Sequence, residues 1–518
     1  MKTTRKILAV LLALAMVMAF AACGQKEAVV EGDSETEVDL STATFQKEIV
    51  IGCYDSAATM DCSGSTGISH LAICDMVFDG LVKFDENKQV VGECAEKIEW
   101  LDDNMTIQFT LRQGMQFHGG YGEVKASDVK YSVQHAIDKA YVATYYSYVE
   151  EVEVISDYVV QFHLSAPAQD LLPELTLSCF GIMSEKACTE DEDSGYLIGC
   201  GPYYVETFEL GNYTEVVRFD DYYGELPKTE RFNFKVMSEA SARLVALQTG
   251  EIDFCMAPAA AELANIEADP NLKLYSGTGV TLQYLALNLK NEKWADKRLR
   301  QAVAYAINRD DVIVVAAEGN GTPAYTVLPS TCFGYVGDDV NPYTYDKDKA
   351  NALLKEAGQE GYEVNIQAYT SVKVLQAQAL QANLNAAGFN ASVEQIEYIA
   401  LYQQMKAATH DAVLWNWAGG SLCPDNVFRP MFHSNGGSNR SKTDDETVNN
   451  LIDTAMPTIG DANREPIYKE LQENLMSNAG LIPLYFDNVY VACKASVQGF
   501  VLNEADIHNF AAVYIVEE

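Results

Sequence analysis

From residue 106 the chain alternates. Ile107, Phe109 and Leu111 fall on one face and Thr106, Gln108 and Thr110 on the other, the period of a half-buried strand. Val160, Phe162 and Leu164 repeat that pattern. Between them Val129, Val133 and Ile137 recur every four residues, which predicts a helix over 127–138. This stretch reads as an inserted α+β subdomain. Before it, residues 46–52 form an opening strand that runs into a polar loop from Tyr54 to Asp61, and 73–84 reads as a helix followed by a short strand at 80–82. After it, 199–204 is a turn entering a strand and 216–219 extends another. Residues 238–249 form a helix stopped by Gly250, and 252–254 a strand.

Beyond residue 280, helices and strands take turns, the pattern of an α/β fold. Residues 282–288 form a strand expected to cross between two lobes. Asp296 caps a helix carrying Leu299, Val303 and Ile307, and Asp346 caps a second that ends at Gly358. A strand at 364–369 is followed by a helix at 372–387 stopped by Gly388. Strands at 392–396 and 412–417 and a helix at 465–478 follow, and 481–485 reads as the return crossing. The loop Tyr54-Asp55-Ser56 leaves a strand end, where α/β folds place ligands.

The N-terminus stands apart. Lys2, Arg5 and Lys6 precede an apolar run too short to span a bilayer comfortably, and Ala21-Ala22 precede Cys23. Residues 1–22 are therefore expected to be a signal peptide, and Phe20-Ala21-Ala22-Cys23 resembles a bacterial lipobox whose cysteine is lipidated. Residues 23–46, acidic and poor in apolar side chains, suit a flexible tether. The net charge of −38, with no block of basic residues, argues against nucleic acid. Eleven of the 12 cysteines follow Cys23, an odd number with no C-x-x-C spacing. That pattern fits buried thiols better than a disulfide scaffold, with one bridge left open.

Leu414-Trp415-Asn416-Trp417-Ala418-Gly419-Gly420 followed by Cys423-Pro424-Asp425 gathers two of the four tryptophans. On a strand Trp415 and Trp417 share a face and Asn416 takes the other, while the glycines admit a close ligand. A pair of core tryptophans before an ordinary loop is the competing reading. Catalytic patterns are absent: no Gly-x-Ser-x-Gly, no His-Glu-x-x-His and no Gly-x-x-x-x-Gly-Lys. None of the seven histidines (His70, His118, His135, His163, His410, His433, His508) pairs at helical metal-ligand spacing. Asp220-Asp221 and Asp444-Asp445 read as solvated turns. The expectation is a protein that is not an enzyme, with no cofactor and no protein-bound metal.

Several ordered stretches resemble the peptide- and nickel-binding family of extracellular solute-binding lipoproteins that serve ABC importers. TIQFTLRQGMQFHGG at 106–120, with the helix after it, resembles the family's Phe-x-Leu-Arg-x-Gly-x-x-Phe-His-Asp-Gly segment, Gly119 replacing the aspartate. GCGPYYVETFELGNYTEVVRFDDYYG at 199–224 resembles its Gly-Thr-Gly-Pro-Tyr segment and Tyr-Trp-Gly turn, with Cys200 and Tyr223 substituted. Residues 298–309 and 345–358 match two more stretches in order. The resemblance implies a two-lobed α/β, periplasmic-binding-protein-like fold (class II, cluster C type) that closes on its ligand. Lobe I would comprise 47–80, 199–280 and 485–518, with the subdomain inserted at 81–198, and lobe II would be 281–484.

The Trp417 loop aligns with the family's Trp-x-Gly-Asp-x-x-x-Pro-Asp loop on the cleft wall. In the dipeptide and oligopeptide binders the acid three positions after the Trp meets the ligand's ammonium; Gly420 stands there in this chain. The resemblance implies ligand contacts from Tyr54, Asp55, Ser56, Tyr284, Asn288, Tyr369, Trp415, Asn416, Trp417, Gly419, Gly420 and Asp425. Peptide is the leading ligand. An oligosaccharide, another neutral solute or a nickel complex is the alternative, and a surface hydrolase a further one. The implied partners are an ABC permease and ATPase complex, with a monomer held to the extracellular face of a Gram-positive cell membrane through Cys23.

Overall fold

Two strands carry the architecture. Leu272–Leu287 and Leu481–Lys494 pair antiparallel, and each extends well past the short crossing that its periodicity marked. The structure, a computed structural model, describes residues 43–517 except 66, 86, 102–103, 140–141, 192–193 and 419–422. The signal peptide, Cys23, the tether to residue 42, and Gly419 and Gly420 lie outside the described residues. The elements that follow belong to the unit Phe45–Val516.

Among the described residues the long pair sits inside an 11-stranded sheet. On one side come Ala412–Ala418, Glu363–Ala368 and Asn390–Gln395. On the other come Phe254–Met256, Glu48–Cys53, Arg231–Val236, Tyr213–Arg218 and Tyr203–Glu209. Gly321–Pro323 attaches to Leu481–Lys494. Glu48–Cys53 and Glu363–Ala368 each run parallel to both neighbours, and such strands are covered on two faces.

Alternation along the strands supplies those covers. Leu285 and Leu287 enter one core with Ile366, Leu414 and Leu484, while Tyr284 and Ala286 enter another with Val413, Trp415 and Phe428. Ile49, Ile51 and Cys493 build a third core, and Cys255 and Ala492, with Val50 against them, a fourth. Each pair of cores sandwiches one half of the sheet. Residues 276–281 and 487–490 enter none of them. Here the register slips between Thr278 and Leu282. In place of apolar packing, the Thr278 and Thr322 hydroxyls lie 2.9 Å apart, and Thr322 donates to Asn488 Oδ1 at 2.9 Å. The result is a two-stranded polar waist between two lobes.

The insert has its own antiparallel sheet, ordered Ala95–Trp100, Thr106–Leu111, Val159–Leu164, Val149–Ser156, with the helix Ala126–Ile137 against it. Its motif residues tie it to the rest. The His118 backbone N–H donates to the Gly199 carbonyl at 2.9 Å, and its Nε2 to the Gly201 carbonyl at 2.9 Å. Gly199 and Gly201 press against the end of the helix Ile68–Val77; a Cβ on Gly199 would stand 2.1 Å from the Val77 carbonyl oxygen, so no other residue fits. Arg309, in the 298–309 stretch, donates through Nε to the carbonyls of Ala324 and Pro483 at 2.7 and 3.0 Å, binding that segment to the return strand.

Several details depart from the expectation. The strand after the first helix is Val82–Phe84, two residues later than read, and the helix expected to hold Ile307 ends at Ala306, followed by another at Arg309–Ala316. Asp445 is not part of a plain solvated turn. Its side chain accepts from the N–H groups of Thr447 and Val448 and caps the helix Glu446–Ala455. The eleven cysteines after Cys23 are all buried. Burial pushes the thiols of Cys53 and Cys62 up to about 12.

Candidate ligand-binding site

The waist forms the floor of a cavity of about 1280 Å³. That is somewhat above the range of drug-sized pockets and leaves room for an extended ligand. Gly279, Val280, Thr281, Asp487, Asn488 and Tyr490 come from the waist itself. Tyr54 and Asp55 leave the end of Glu48–Cys53, and Asp506 approaches from the C-terminal segment. Tyr145, Tyr148 and Glu174 reach in from the insert. Asn416, Trp417 and Ala418 close the far side at the end of their strand, with Asp425, Asn426 and Arg429 on the helix after it.

Of the residues expected in the site, Tyr54, Asp55, Asn416, Trp417 and Asp425 line this cavity. Trp415 and Trp417 do share a face, yet only Trp417 reaches the opening. Trp415 is 8% exposed and packs on Tyr369, ring centroids 4.6 Å apart, and on Tyr398 at 5.6 Å. Tyr369 is spent on that cluster and on a hydrogen bond to Asn416 Oδ1 at 3.2 Å. Tyr284 is fully buried in the core beneath Trp415. Asn288 is also fully buried; its amide donates to the carbonyls of Ala408 and His410 at 2.8 Å and pins a turn. Ser56 accepts from the Gly211 backbone N–H at 3.0 Å and ties two loops together. Trp415, Tyr369 and Tyr284 are removed from the cavity wall by packing against other segments, and Asn288 and Ser56 by hydrogen bonds to neighbouring loops.

Residues that the sequence pattern did not mark complete the wall. Tyr148 and Glu174 sit in the insert, with no motif to single them out. Asp506 has a backbone φ of +64°, a left-handed conformation that Asp tolerates better than most, and it accepts from Tyr54 Oη at 3.0 Å. Asp487 accepts from Gln283 Nε2 at 2.7 Å, and Gln283 Oε1 accepts in turn from the buried Lys373. Burial pushes Lys373 down to about 7. The Trp417 indole N–H is shielded and has no acceptor among the described residues.

Several contacts bridge the two sides of the opening. Asp170, from the insert, and Arg464, from the helix Asp461–Asn478, form an ion pair with both side chains 3% exposed. Arg464 also donates to Tyr468 Oη at 2.9 Å, and Cys423 Sγ lies 3.8 Å from the Asp170 carbonyl oxygen. A second cavity, of about 800 Å³, holds Asp75, Asp79 and Glu93, but each of these carboxyls already has a donor within the protein. Asn509 bonds Asp75 at 2.6 Å, Tyr222 and Tyr223 bond Asp79 at 3.0 and 2.6 Å, and the Gly80 N–H bonds Glu93 at 2.8 Å. Tyr223, which replaces the family's tryptophan, supplies the shortest bond to Asp79.

Two core-bearing lobes, a two-stranded waist and a cavity between them define a solute-binding protein of the kind that closes round its ligand. The family model described as "Bacterial extracellular solute-binding proteins, family 5 Middle" matches residues 89–439, and the chain belongs to that family. It is 29% identical over 488 residues to the dipeptide-binding protein of Escherichia coli (strain K12), covering 87% of this chain and 91% of that one. Its fold matches HbpA2 from Haemophilus parasuis with a TM-score of 0.82 at 24% identity, over 90% of this chain and 99% of that one. The fold also matches DppA from Helicobacter pylori in complex with the peptide STSA, at a TM-score of 0.76 and 24% identity, over 92% and 99%. Among the described residues no helix is long and apolar enough to cross a membrane.

Proposed function

We propose that this protein is the extracellular receptor of an ABC importer, capturing peptides by closure of its lobes and passing them to a permease and ATPase complex. The observation that carries the reading is the cavity over the waist, walled by both lobes and by the Trp417 strand end. The family places the chain among solute carriers, and the E. coli relative is named for dipeptides. Ligand bound there would stabilise the closed form by its preference for it. The proposal includes lipidation of Cys23 after removal of residues 1–22, a tether to residue 46, a monomeric state, and lobe limits at 47–80, 199–280 and 485–518 against 281–484. It assigns no reaction to the protein.

Gly420, the tyrosine richness and the paired tryptophans expected in the wall speak for the oligosaccharide alternative, since sugars stack on aromatic faces. With Trp415 committed to Tyr369 and Tyr398, a single tryptophan remains there, which favours peptide. The test is ligand-induced thermal stabilisation against short peptides and oligosaccharides, with product analysis for turnover. Peptides are expected to raise Tm without being cleaved. Trp417→Ala is expected to weaken peptide binding about tenfold, within the range for truncating a buried aromatic anchor, while leaving Tm nearly unchanged. Stabilisation by sugars alone, or cleavage of a peptide, would overturn the reading.

A further inference from the structure

The charges around the cavity are lopsided. Among the described residues its wall carries six carboxylates (Asp55, Glu174, Asp425, Asp487, Glu504 and Asp506) and one base, Arg429. That base is already taken. Arg429 grips Asp425 with two hydrogen bonds, at 2.8 and 3.0 Å, and Asp453 with a third at 2.8 Å. Glu504 is met by Lys88 at 3.0 Å. The other four form no ion pair with a lysine or arginine among the described residues.

Their neighbours supply hydrogen bonds but no lysine or arginine among the described residues. Among the described residues Asp55 accepts from the Ser69 hydroxyl. Asp506 accepts from Tyr54 and from His508 Nε2 at 3.1 Å. His508 Nδ1 accepts the Asn503 backbone N–H at 3.1 Å, which leaves Nε2 as the nitrogen that donates to Asp506. Asp487 meets Gln283 in place of Lys373, which stops one residue short. Glu174 is the extreme case: 5% exposed, facing the cavity, with no cation beside it. Burial, then the charges of Asp170 and Asp425, raise its carboxyl well above the usual range, with only Asn426 opposing. Such a group gains most when a cation arrives, because an unpaired buried charge is costly.

We infer that the cavity selects ligands bearing two or more cationic groups, namely peptides whose α-ammonium is joined by lysine or arginine side chains, and that Glu174 with Asp487 receives them. This rests on the proposed peptide reading and narrows it. It also answers the gap at Gly420: Asp425 cannot stand in for the missing acid, since Arg429 holds it, whereas Glu174 meets the neutral amide of Asn426 and no lysine or arginine among the described residues. No uncommitted base in the described wall is available for a carboxylate, so acidic peptides are disfavoured. Walls of low dielectric concentrate this field within the cleft.

The experiment is calorimetric titration of the purified protein with the tripeptide amides Lys-Ala-Lys, Ala-Ala-Ala and Glu-Ala-Glu, and with spermidine as a cation that is not a peptide, each at low and high salt. Lys-Ala-Lys is expected to bind at least about tenfold more tightly than Ala-Ala-Ala, a difference that narrows with salt, and Glu-Ala-Glu not at all. Glu174→Gln should weaken Lys-Ala-Lys far more than Ala-Ala-Ala, erasing most of the preference between them, with Tm no lower than in the native protein. Equal or tighter binding of Ala-Ala-Ala or Glu-Ala-Glu would overturn the charge selection and leave the peptide reading standing. Binding of spermidine with no peptide bound would support charge selection and overturn the peptide reading. Failure of all four probes would overturn the inference, as would a Glu174→Gln protein that retains its preference.

Discussion

Trp415 and Trp417 stand two residues apart on one strand face and differ in what surrounds them. Trp415 meets a wall of aromatic rings from two other segments, Trp417 packs on the same core only in part and lines the cavity, and nothing in the local sequence separates the two. Glu93 shows the same dependence on surroundings. Its sequence context is unremarkable, yet burial and then the nearby Asp79 push its carboxyl up to about 8, against Lys83 at 3.3 Å and the Gly80 N–H. A carboxyl raised on folding keeps its proton in the native state while the unfolded chain has lost it. Its contribution to stability is therefore greatest at low pH and declines as pH rises from the unfolded value near 4 towards 8. Glu93→Gln, neutral throughout, removes that decline and can still accept from Gly80. The Tm of the variant relative to the native protein is expected to climb between pH 5 and pH 8.5, as followed by calorimetry; a constant difference would deny Glu93 this role.

At the scale of the element, strong periodic stretches and side-chain caps were legible. Asp296 and Asp346 cap their helices as read, Gly250 and Gly388 follow their helix ends with positive φ, and Thr106–Leu111 alternates as its residues demand. Asp445 was missed because an acidic pair before a polar stretch looks the same whether it caps a helix or decorates a loop. Only Val448, Ile452 and Ala455, aligned on the buried side, reveal the helix behind it. Asp445→Ala is expected to lower stability by about 1 kcal/mol through loss of two capped N–H groups. Hydrogen exchange should speed up at Thr447 and Val448 first. Exchange unchanged at those amides would show that the cap is dispensable.

For the whole molecule, the decisive features are the polar waist and the Asp170–Arg464 pair across the opening. Apolar packing cannot hold the lobes at the waist, because its residues belong to no core, so contacts at the rim weigh heavily on how closed the cleft is. Removing one partner of a buried pair leaves the other uncompensated, a loss of about 3–5 kcal/mol if the site stays dry. Opening the cleft hydrates the orphan and avoids that loss. Arg464→Leu is therefore expected to enlarge the radius of gyration of the ligand-free protein in small-angle scattering and to weaken ligand binding by depopulating the closed form. An unchanged radius with a lower Tm would mean that the pair serves only local stability.

The linear order of residues determined by itself the α/β class, the alternating strands of the separate antiparallel sheet and the family, because periodicity, caps and ordered motifs are local and survive without a third dimension. It also placed Tyr54, Asp55, Asn416, Trp417 and Asp425 well enough for them to meet in one cavity. The tertiary structure alone decided that Trp415, Tyr369, Tyr284, Asn288 and Ser56 turn away from it, and that Glu174, Asp487 and Asp506, from three distant segments, turn towards it. Which acids remain unpaired was likewise decided there. A carboxylate's availability depends on whether an arginine from elsewhere reaches it, as Arg429 reaches Asp425 while Glu174 meets the Asn426 amide and no described lysine or arginine.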